Sequence, residues 1–506
     1  VIKVDYKHLK SGTDLRGKAI GSDAVLTSET ASRLGFAFAA WLARRYAPVD
    51  LRIAIGRDSR LSGQQLLHAF AQGAVSAGAT VLDFGLCTTP AMYQSLKDEQ
   101  LDLTASIMVT ASHHPADRNG LKFFTQRDGG FTSQMLSEFI LYAEQSPGIQ
   151  QDAGNRGKVA AFDYLEIYCA NLKAKVRKEL NTDVARPLLG LHVVVDAGNG
   201  AGGFYAQMLD ELGAWTEGSQ FLKPDGSFPN HPPNPENETA MQSVSRAVIA
   251  AEADLGVIFD ADCDRAAIVD SQGKVINRNR LIALVSAMLL DKQPGITIVT
   301  DSVTSSGLAR FIGEWGGEHY RYKRGYRNVI DEAIRLNRSG VNCPLAIETS
   351  GHAAFRENDF VDDGMYLSTV LICEAMRLKQ EGKSLFSLIN GLQEPLESVE
   401  IRLPITAKDY HQTGLRLIEM VMEHATFDAA WEIASDNREG IRIGFDLGEE
   451  MDSGWFLLRM SVHDPVLALN VESDVESGVK HMINALYDVI RDAKGVDLSS
   501  LAAYED

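Results

Sequence analysis

The apolar run Ala105–Val109 ends at Thr110-Ala111-Ser112-His113-His114-Pro115, the first place where residue types and spacing could do chemistry. The run reads as a buried strand that stops at small and polar residues, so Ser112 falls on a turn with its hydroxyl within reach. Pro115 and the Asn119-Gly120 pair oppose a helix, which predicts one tight loop carrying Ser112, His113, His114 and Lys122. A polar loop with a helix-capping serine is the plainer alternative. A second cluster follows the strand-like stretch 254–259, as Asp260-Ala261-Asp262-Cys263-Asp264-Arg265. In extended backbone alternate residues share a face, so three carboxylates converge on a small volume and would repel unless neutralised. Three oxygen ligands suit a hard cation such as Mg²⁺, with a phosphate completing its shell. A calcium EF-hand needs glycine at the sixth loop position and glutamate at the twelfth, where this chain has Arg265 and Ser271. A solvated acidic turn is the remaining alternative. Cys263 is a soft ligand that Mg²⁺ would not choose, so its thiol is expected to point away.

The elements that must position these residues alternate. Helical spacing over 30–45 precedes a strand at 51–58; a helix over 62–77 precedes a strand at 81–90, and the pattern restarts at 191–196 and 296–301. This alternation predicts an α/β fold of mostly parallel sheets covered by helices, with functional loops at strand ends. From Leu396 onward the strand at 399–403, a helix over 415–424 and a strand at 454–460 suggest an α+β domain. The polar run 145–158 reads as a linker. The expected division is domain I at 1–150, domain II at 156–277, domain III at 278–395 and domain IV at 396–506.

Composition narrows the partners. The 506 residues exceed one ordinary domain, and a formal charge of −19 argues against nucleic acid, which needs a basic surface. An anionic small substrate then needs a local basic cluster, and 319–327, His-Tyr-Arg-Tyr-Lys-Arg-Gly-Tyr-Arg, supplies one. A solvated basic turn is its plainer reading. Five dispersed cysteines fit neither a disulfide framework nor a zinc cage. With no apolar stretch of about 18 residues and no signal-like start, the sequence predicts a cytoplasmic protein without a membrane partner. Gly198-Asn199-Gly200-Ala201-Gly202-Gly203 matches a dinucleotide fingerprint, with Glu217 near the distance of a ribose-binding acid. Asp196 intrudes between that strand and its glycines, and the motif recurs by chance in a glycine-rich chain.

Taken in order, these motifs resemble those of the α-D-phosphohexomutases, the family of phosphoglucomutase and phosphomannomutase. Ser11-Gly12-Thr13-Asp14-Leu15-Arg16-Gly17 is similar to its N-terminal signature, and Thr110–Pro115 with Asn119-Gly120-Leu121-Lys122 to its phosphoserine loop. The aspartate loop resembles Asp-Gly-Asp-Gly-Asp-Arg with Ala261 and Cys263 in place of glycines. Glu348-Thr349-Ser350-Gly351-His352 resembles the sugar-recognition loop Gly-Glu-Met-Ser-Gly-His, and Lys323-Arg324-Gly325-Tyr326 a specificity loop of the Lys-x-Gly-x type. Arg459-Met460-Ser461-Val462-His463-Asp464-Pro465 stands where the family has Arg-Pro-Ser-Gly-Thr-Glu-Pro, with β-branched Val462 replacing the glycine, so the loop's shape should differ.

The resemblance implies three related mixed α/β domains around a central cleft plus a C-terminal α+β domain that closes it. It implies a mutase that moves a phosphoryl group between positions 1 and 6 of glucose or mannose phosphate through phospho-Ser112 and a bisphosphate intermediate. Mg²⁺ would lie on Ser112, Asp260, Asp262 and Asp264, with Arg265 or Arg16 stabilising the transferring group. Lys122 is the favoured general acid/base, its pKa lowered by a cationic neighbourhood, and His113 is second. Glu348, Ser350, His352, Lys323, Arg324 and Tyr326 are implied sugar contacts, and Arg459, Ser461 and His463 hold the non-reacting phosphate. A sugar bisphosphate activator and a monomer or dimer accompany this reading. The alternatives are a mutase for a pentose or glucosamine phosphate, a NAD-dependent oxidoreductase and a non-catalytic phosphosugar-binding protein.

Overall fold

The computed structural model describes residues 5–48, 50–146, 157–447, 453–461 and 464–504. Residues 147–156 of the expected linker lie outside them. The chain divides into a first unit of 1–277, 350–353 and 361–385 and a second of 278–349, 354–360 and 386–506.

In the first unit a mixed sheet runs in the order Lys10–Ser11, Asp14–Lys18, Arg118–Thr125, Ala105–Val109, Arg52–Arg57, Thr80–Leu86, Val159–Ala161. Arg52–Arg57 is parallel to both of its neighbours, whereas Arg118–Thr125 is antiparallel to both of its own. Alternation along the strands decides the faces: Leu15, Ile53, Ile55, Ile107, Leu121 and Phe123 point into one core with helices Ser28–Tyr46, Gly63–Ser76 and Ser133–Gln145. Phe38 sits at its centre, 5.0 Å from Phe123 and 5.5 Å from Phe139 between ring centroids. Residues of opposite parity, among them Arg16, Gly120 and Lys122, therefore face the other side. Here the structure departs from the sequence reading. Arg16 lies on the strand Asp14–Lys18, and Asn119, Gly120 and Lys122 lie on Arg118–Thr125 rather than on a loop. Pairing between strands overrides the turn preference of Asn-Gly.

The second sheet of this unit runs Val275–Ile276, Ala266–Asp270, Leu255–Phe259, Val193–Asp196, with the last two parallel. The helix Gly364–Gln380 belongs to the same unit and is buried on nearly every side, as expected for an apolar helix without a polar face. Tyr168 Oη donates to Asp363 Oδ1 at 2.7 Å, and the same carboxylate caps the helix by accepting from Met365 and Tyr366 N–H.

Two glycines of the dinucleotide fingerprint lie against the chain's own backbone. A Cβ at Gly203 would stand 1.9 Å from Leu222 O, and one at Gly200 2.7 Å from Ala261 O. Those glycines admit the chain's own backbone. Asp196 instead accepts from Gly198 N–H, Gln220 and His231.

In the second unit Thr297–Asp301 lies between Glu318–Tyr322 and Leu345–Ile347, parallel to both. The C-terminal sheet is antiparallel throughout, in the order Glu397–Pro404, Val466–Ser473, Gly454–Met460, Ile441–Phe445, Glu432–Ile433. Leu417, Val421, Met482, Ile483 and Leu486, from helices Tyr410–Phe427 and Gly478–Ile490, pack on it. No helix among the described residues is long and apolar enough to cross a membrane.

His231 is 4% exposed, with Nε2 3.0 Å from Asp196 Oδ2 and Nδ1 2.9 Å from Pro232 O. Both neighbours accept, an arrangement that favours donation from both nitrogens and so the imidazolium form. Burial opposes that charge, but Asp196 and the Pro232 carbonyl outweigh it and raise the pKa. His231 thus contributes stability that is complete below its unfolded value of about 6.5 and fades as pH rises through the raised native value. Urea unfolding across that window should show this decline in the wild type and not in His231→Gln.

Candidate active site

Ser112 sits just past the end of Ala105–Val109 with φ +52°, a left-handed conformation uncommon for a residue with a side chain. Its N–H donates to Thr110 Oγ1 at 2.8 Å, which holds the turn. The sequence reading leaves the hydroxyl open, but Ser112 is 1% exposed and its Oγ donates to Asp260 Oδ2 at 2.6 Å. His113 Nδ1 lies 3.4 Å from the same Oγ.

The three aspartates converge, though not by extended alternation. Leu255–Phe259 ends and the chain turns tightly before Ala266–Asp270, with Cys263 at φ +65°. This brings one oxygen from each of Asp260, Asp262 and Asp264 within 4.8 Å of the others, all buried. The Cys263 Sγ donates to Asp260 O at 3.7 Å and serves the turn, as its softness predicts. Thr89, which sequence reasoning missed, donates its hydroxyl to Asp262 Oδ2 at 2.5 Å and its N–H to Asp262 O. The signal for it was Thr88-Thr89-Pro90, a helix-capping pattern after a strand, which gives no hint of the partner.

Strand register supplies the cations. Arg16 pairs with Gly120 and Met108 with Lys122, so Arg16 and Lys122 share the face that Leu121 and Phe123 leave. A Cβ at Gly120 would meet Leu15 O and Thr110 O at 2.6 Å, so the position admits no side chain. Lys122 Nζ lies 2.8 Å from Asp262 Oδ2 and 2.5 Å from Asp264 Oδ2. The expected lowering of the Lys122 pKa is therefore overturned. Burial works against the ammonium, but the two carboxylates outweigh it and hold the pKa well above the ordinary lysine range. The Arg265 guanidinium first, then burial, then His114 and Arg16 hold the His113 imidazole well below its ordinary value. Arg16 is paired with Asp14 at 2.9 Å, and its Nε is buried without a hydrogen-bond partner among the described residues.

Arg265 N–H donates to Asp260 Oδ1 at 3.3 Å, and its guanidinium reaches Glu236 at 3.5 Å. His352, an expected sugar contact, stands in this unit with Nε2 3.3 Å from Arg265 Nε and 3.7 Å from Asp264 Oδ1. Ser350 Oγ lies 2.8 Å from His352 Nδ1. Their neighbours here are Arg265 and the aspartate turn.

The donor set fits a metal. Asp262 Oδ1 and Asp264 Oδ1 are buried without hydrogen-bond partners among the described residues, and all ligands are hard carboxylate oxygens. Burial, then Asp264 and Asp262, push the Asp260 carboxyl well above the ordinary range, whereas Lys122 and His352 overcome burial to hold Asp264 well below it. A cation bound there favours the ionised form of Asp260, which burial and the neighbouring carboxylates oppose. Divalent-cation affinity should rise with pH until Asp260 ionises, with proton release detected by calorimetry in buffers of different ionisation enthalpy. Asp262→Asn should reduce the cation-induced stabilisation read out as a rise in thermal midpoint, a stabilisation of about 2.7 kcal/mol at a hundredfold excess over Kd.

The second unit holds the other expected contacts. Glu348 follows Leu345–Ile347, is 3% exposed, and accepts from Gly325 N–H at 2.7 Å. Arg324 Nε lies 3.8 Å from Asp301 Oδ2, which also accepts from Thr349 Oγ1 at 2.7 Å. Burial, then Arg324, lower the Arg459 pKa against the pull of Glu439, Glu400 and Asp301, so two cations act on each other there. Arg459 Nε is buried without a hydrogen-bond partner among the described residues. Ser461 Oγ accepts from Asp464 N–H at 3.3 Å, Lys323 is exposed and Tyr326 half-buried. His463 and Val462 lie outside the described residues.

Known proteins are similar to this chain over most of its length. Three family descriptions, "Phosphoglucomutase/phosphomannomutase, alpha/beta/alpha domain I", "domain II" and "domain III", match residues 8–143, 166–273 and 277–396. The chain is 30% identical over 473 residues to "Phosphomannomutase/phosphoglucomutase" of Pseudomonas aeruginosa, covering 93% of this chain and 92% of that one. It is 29% identical over 479 residues to "Phosphoglucomutase" of Neisseria gonorrhoeae, covering 94% and 95%. Among solved structures, a phosphoglucomutase/phosphomannomutase family protein from Burkholderia thailandensis superposes with a TM-score of 0.78 at 27% identity, covering 97% and 98%. Three α/β/α domains followed by a further C-terminal domain, in this order and over this length, place the chain in the phosphoglucomutase/phosphomannomutase family of the α-D-phosphohexomutase superfamily.

Proposed function

We propose that the chain is a phosphosugar mutase that moves a phosphoryl group between positions 1 and 6 of glucose or mannose phosphate through phospho-Ser112 and a bisphosphate intermediate. The observation that carries this reading is Ser112 Oγ at 2.6 Å from Asp260, inside a buried centre with Asp262, Asp264 and Lys122. Phosphoryl transfer needs in-line positioning and neutralised charge more than covalent help from the protein. Mg²⁺ held by Asp260, Asp262, Asp264 and the phosphoserine would supply that neutralisation. Arg16 and Arg265 are placed to stabilise the equatorial oxygens. In each half-reaction the P–O bond at one oxygen breaks as another forms, and the attacking hydroxyl gives up a proton. Neutral His113, with Nδ1 3.4 Å from Ser112 Oγ, fits the group that takes this proton and returns it to the departing oxygen, while Lys122, held as an ammonium, offsets the charge on the oxygens. A loose transition state asks little of either.

In this reading Glu348 accepts from sugar hydroxyls, and Arg324 with Arg459 takes the non-reacting phosphate, joined by Ser461 and His463 a few positions further along the sequence. Lys323 and Tyr326 flank the sugar, and Ser350 and His352 steady Arg265 as well as any sugar contact they make. The reading also carries a sugar bisphosphate activator, a cytoplasmic monomer or dimer, and domains divided as 1–150, 156–277, 278–395 and 396–506.

Ser112→Ala should lose at least ~10⁴-fold in turnover and carry no phosphate by intact mass; retained turnover would overturn the assignment. Arg459→Ala should lower kcat/KM by about 10- to 100-fold, the worth of a charge-assisted hydrogen bond, while Ser112 still accepts phosphate from a sugar bisphosphate. A panel of glucose, mannose, glucosamine and ribose phosphates compared by kcat/KM measures the sugar preference.

A further inference from the structure

Arg60 plays no part in the chemistry above, yet it is 1% exposed and among the largest fully buried side chains. One guanidinium reaches four carbonyls of the serine loop: Nη2 donates to Ser112 O and His114 O at 2.6 Å, and Nη1 to Pro115 O at 2.7 Å and Arg118 O at 2.8 Å. Its charge is balanced by Asp58, with Nε 3.3 Å from Oδ2, and the Phe228 ring lies 5.2 Å from its centre. The same Asp58 accepts from Arg60 N–H at 2.9 Å and from Thr110 Oγ1 at 2.6 Å, and Thr110 Oγ1 in turn accepts from Ser112 N–H. Both peptide groups flanking Ser112 are thereby tied to one buried pair. Because a trans peptide points its N–H opposite its C=O, holding Ser112 O on Arg60 turns the His113 N–H to the other side.

We propose, on the mutase reading, that Arg60 is a positioning residue for phosphoryl transfer: it holds the left-handed Ser112 peptide that presents Oγ to Asp260. The role requires arginine. The four Nη N–H groups of a planar fork can donate to four carbonyls while the guanidinium charge faces a carboxylate, whereas a lysine has three donors on a tetrahedral head. Ser112 at φ +52° has an uncommon backbone conformation of the kind that persists only where the surrounding structure holds it. A loop that relaxes by about 1 Å misaligns the attack without removing any group that binds the sugar.

The wild type is assayed first for turnover and for phosphate on Ser112; failure there refutes the mutase reading, not the role of Arg60. Arg60→Lys retains the charge facing Asp58 and is the principal variant. Its kcat, and its rate of Ser112 phosphorylation by a sugar bisphosphate, should fall by roughly 10²-fold with KM within about twofold of wild type. Thr110→Val, which cuts the link between Asp58 and Ser112 N–H, should shift the same two rates in the same direction. Guanidinium ion added to Arg60→Ala should restore kcat, and added to Arg60→Lys should not. An Arg60→Lys enzyme with wild-type kcat overturns the proposal, as does a loss expressed only in KM or shared equally by thermal midpoint and both kinetic constants.

Discussion

Mutual repulsion among Asp260, Asp262 and Asp264 is the constraint that the rest of the first unit answers. Two unit charges about 4 Å apart in a partly shielded site interact by roughly 4 kcal/mol, and three carboxylates in one buried turn compound this. Chain groups relieve it in different ways. Lys122 sits on Asp262 and Asp264, Thr89 donates to the same Asp262 oxygen, Arg265 and Ser112 donate to the two oxygens of Asp260, and burial favours the neutral form of that carboxyl. A turn this charged stays folded because strands and helices deliver donors to fixed places around it.

That delivery is a matter of strand parity. Asp14–Lys18 and Arg118–Thr125 each send alternate residues to an aromatic core and the others to the carboxylates, so Leu121 and Phe123 anchor the strand while Lys122 serves the site. A slip of one residue would exchange them. The core around Phe38 therefore sets the position of Lys122 as firmly as the ion pair does. The same logic explains why Gly120 faces Arg16: the space above it is filled by neighbouring backbone.

Motif order and strand–helix alternation were legible because they depend on neighbours in sequence. Ser112, the aspartates and Lys122 were all identifiable, and the strands at Ala105–Val109 and Leu255–Phe259 lie where periodicity puts them. What failed was local conformation. Asn119-Gly120 has turn chemistry but sits in a ladder, and the aspartates meet through a left-handed Cys263 rather than an extended run. The pKa of Lys122 was misjudged because its sign depends on partners 140 and 142 residues away. Arg60 stayed hidden for the same reason, since its acceptors are backbone carbonyls more than 50 positions on, and carbonyls carry no sequence signature.

The first unit is discontinuous in sequence, and this bears on its synthesis. The helix Gly364–Gln380 fills its interior, yet it emerges only after the whole stretch from 278 to 349 has been made. A nascent chain leaving the ribosome must hold the apolar faces of an unfinished lobe exposed while some seventy to eighty further residues, allotted elsewhere, pass by at about 5–20 residues per second. That interval of several seconds is when chaperones would engage it, and a gene cut after Asn277 would leave the lobe without its keystone helix.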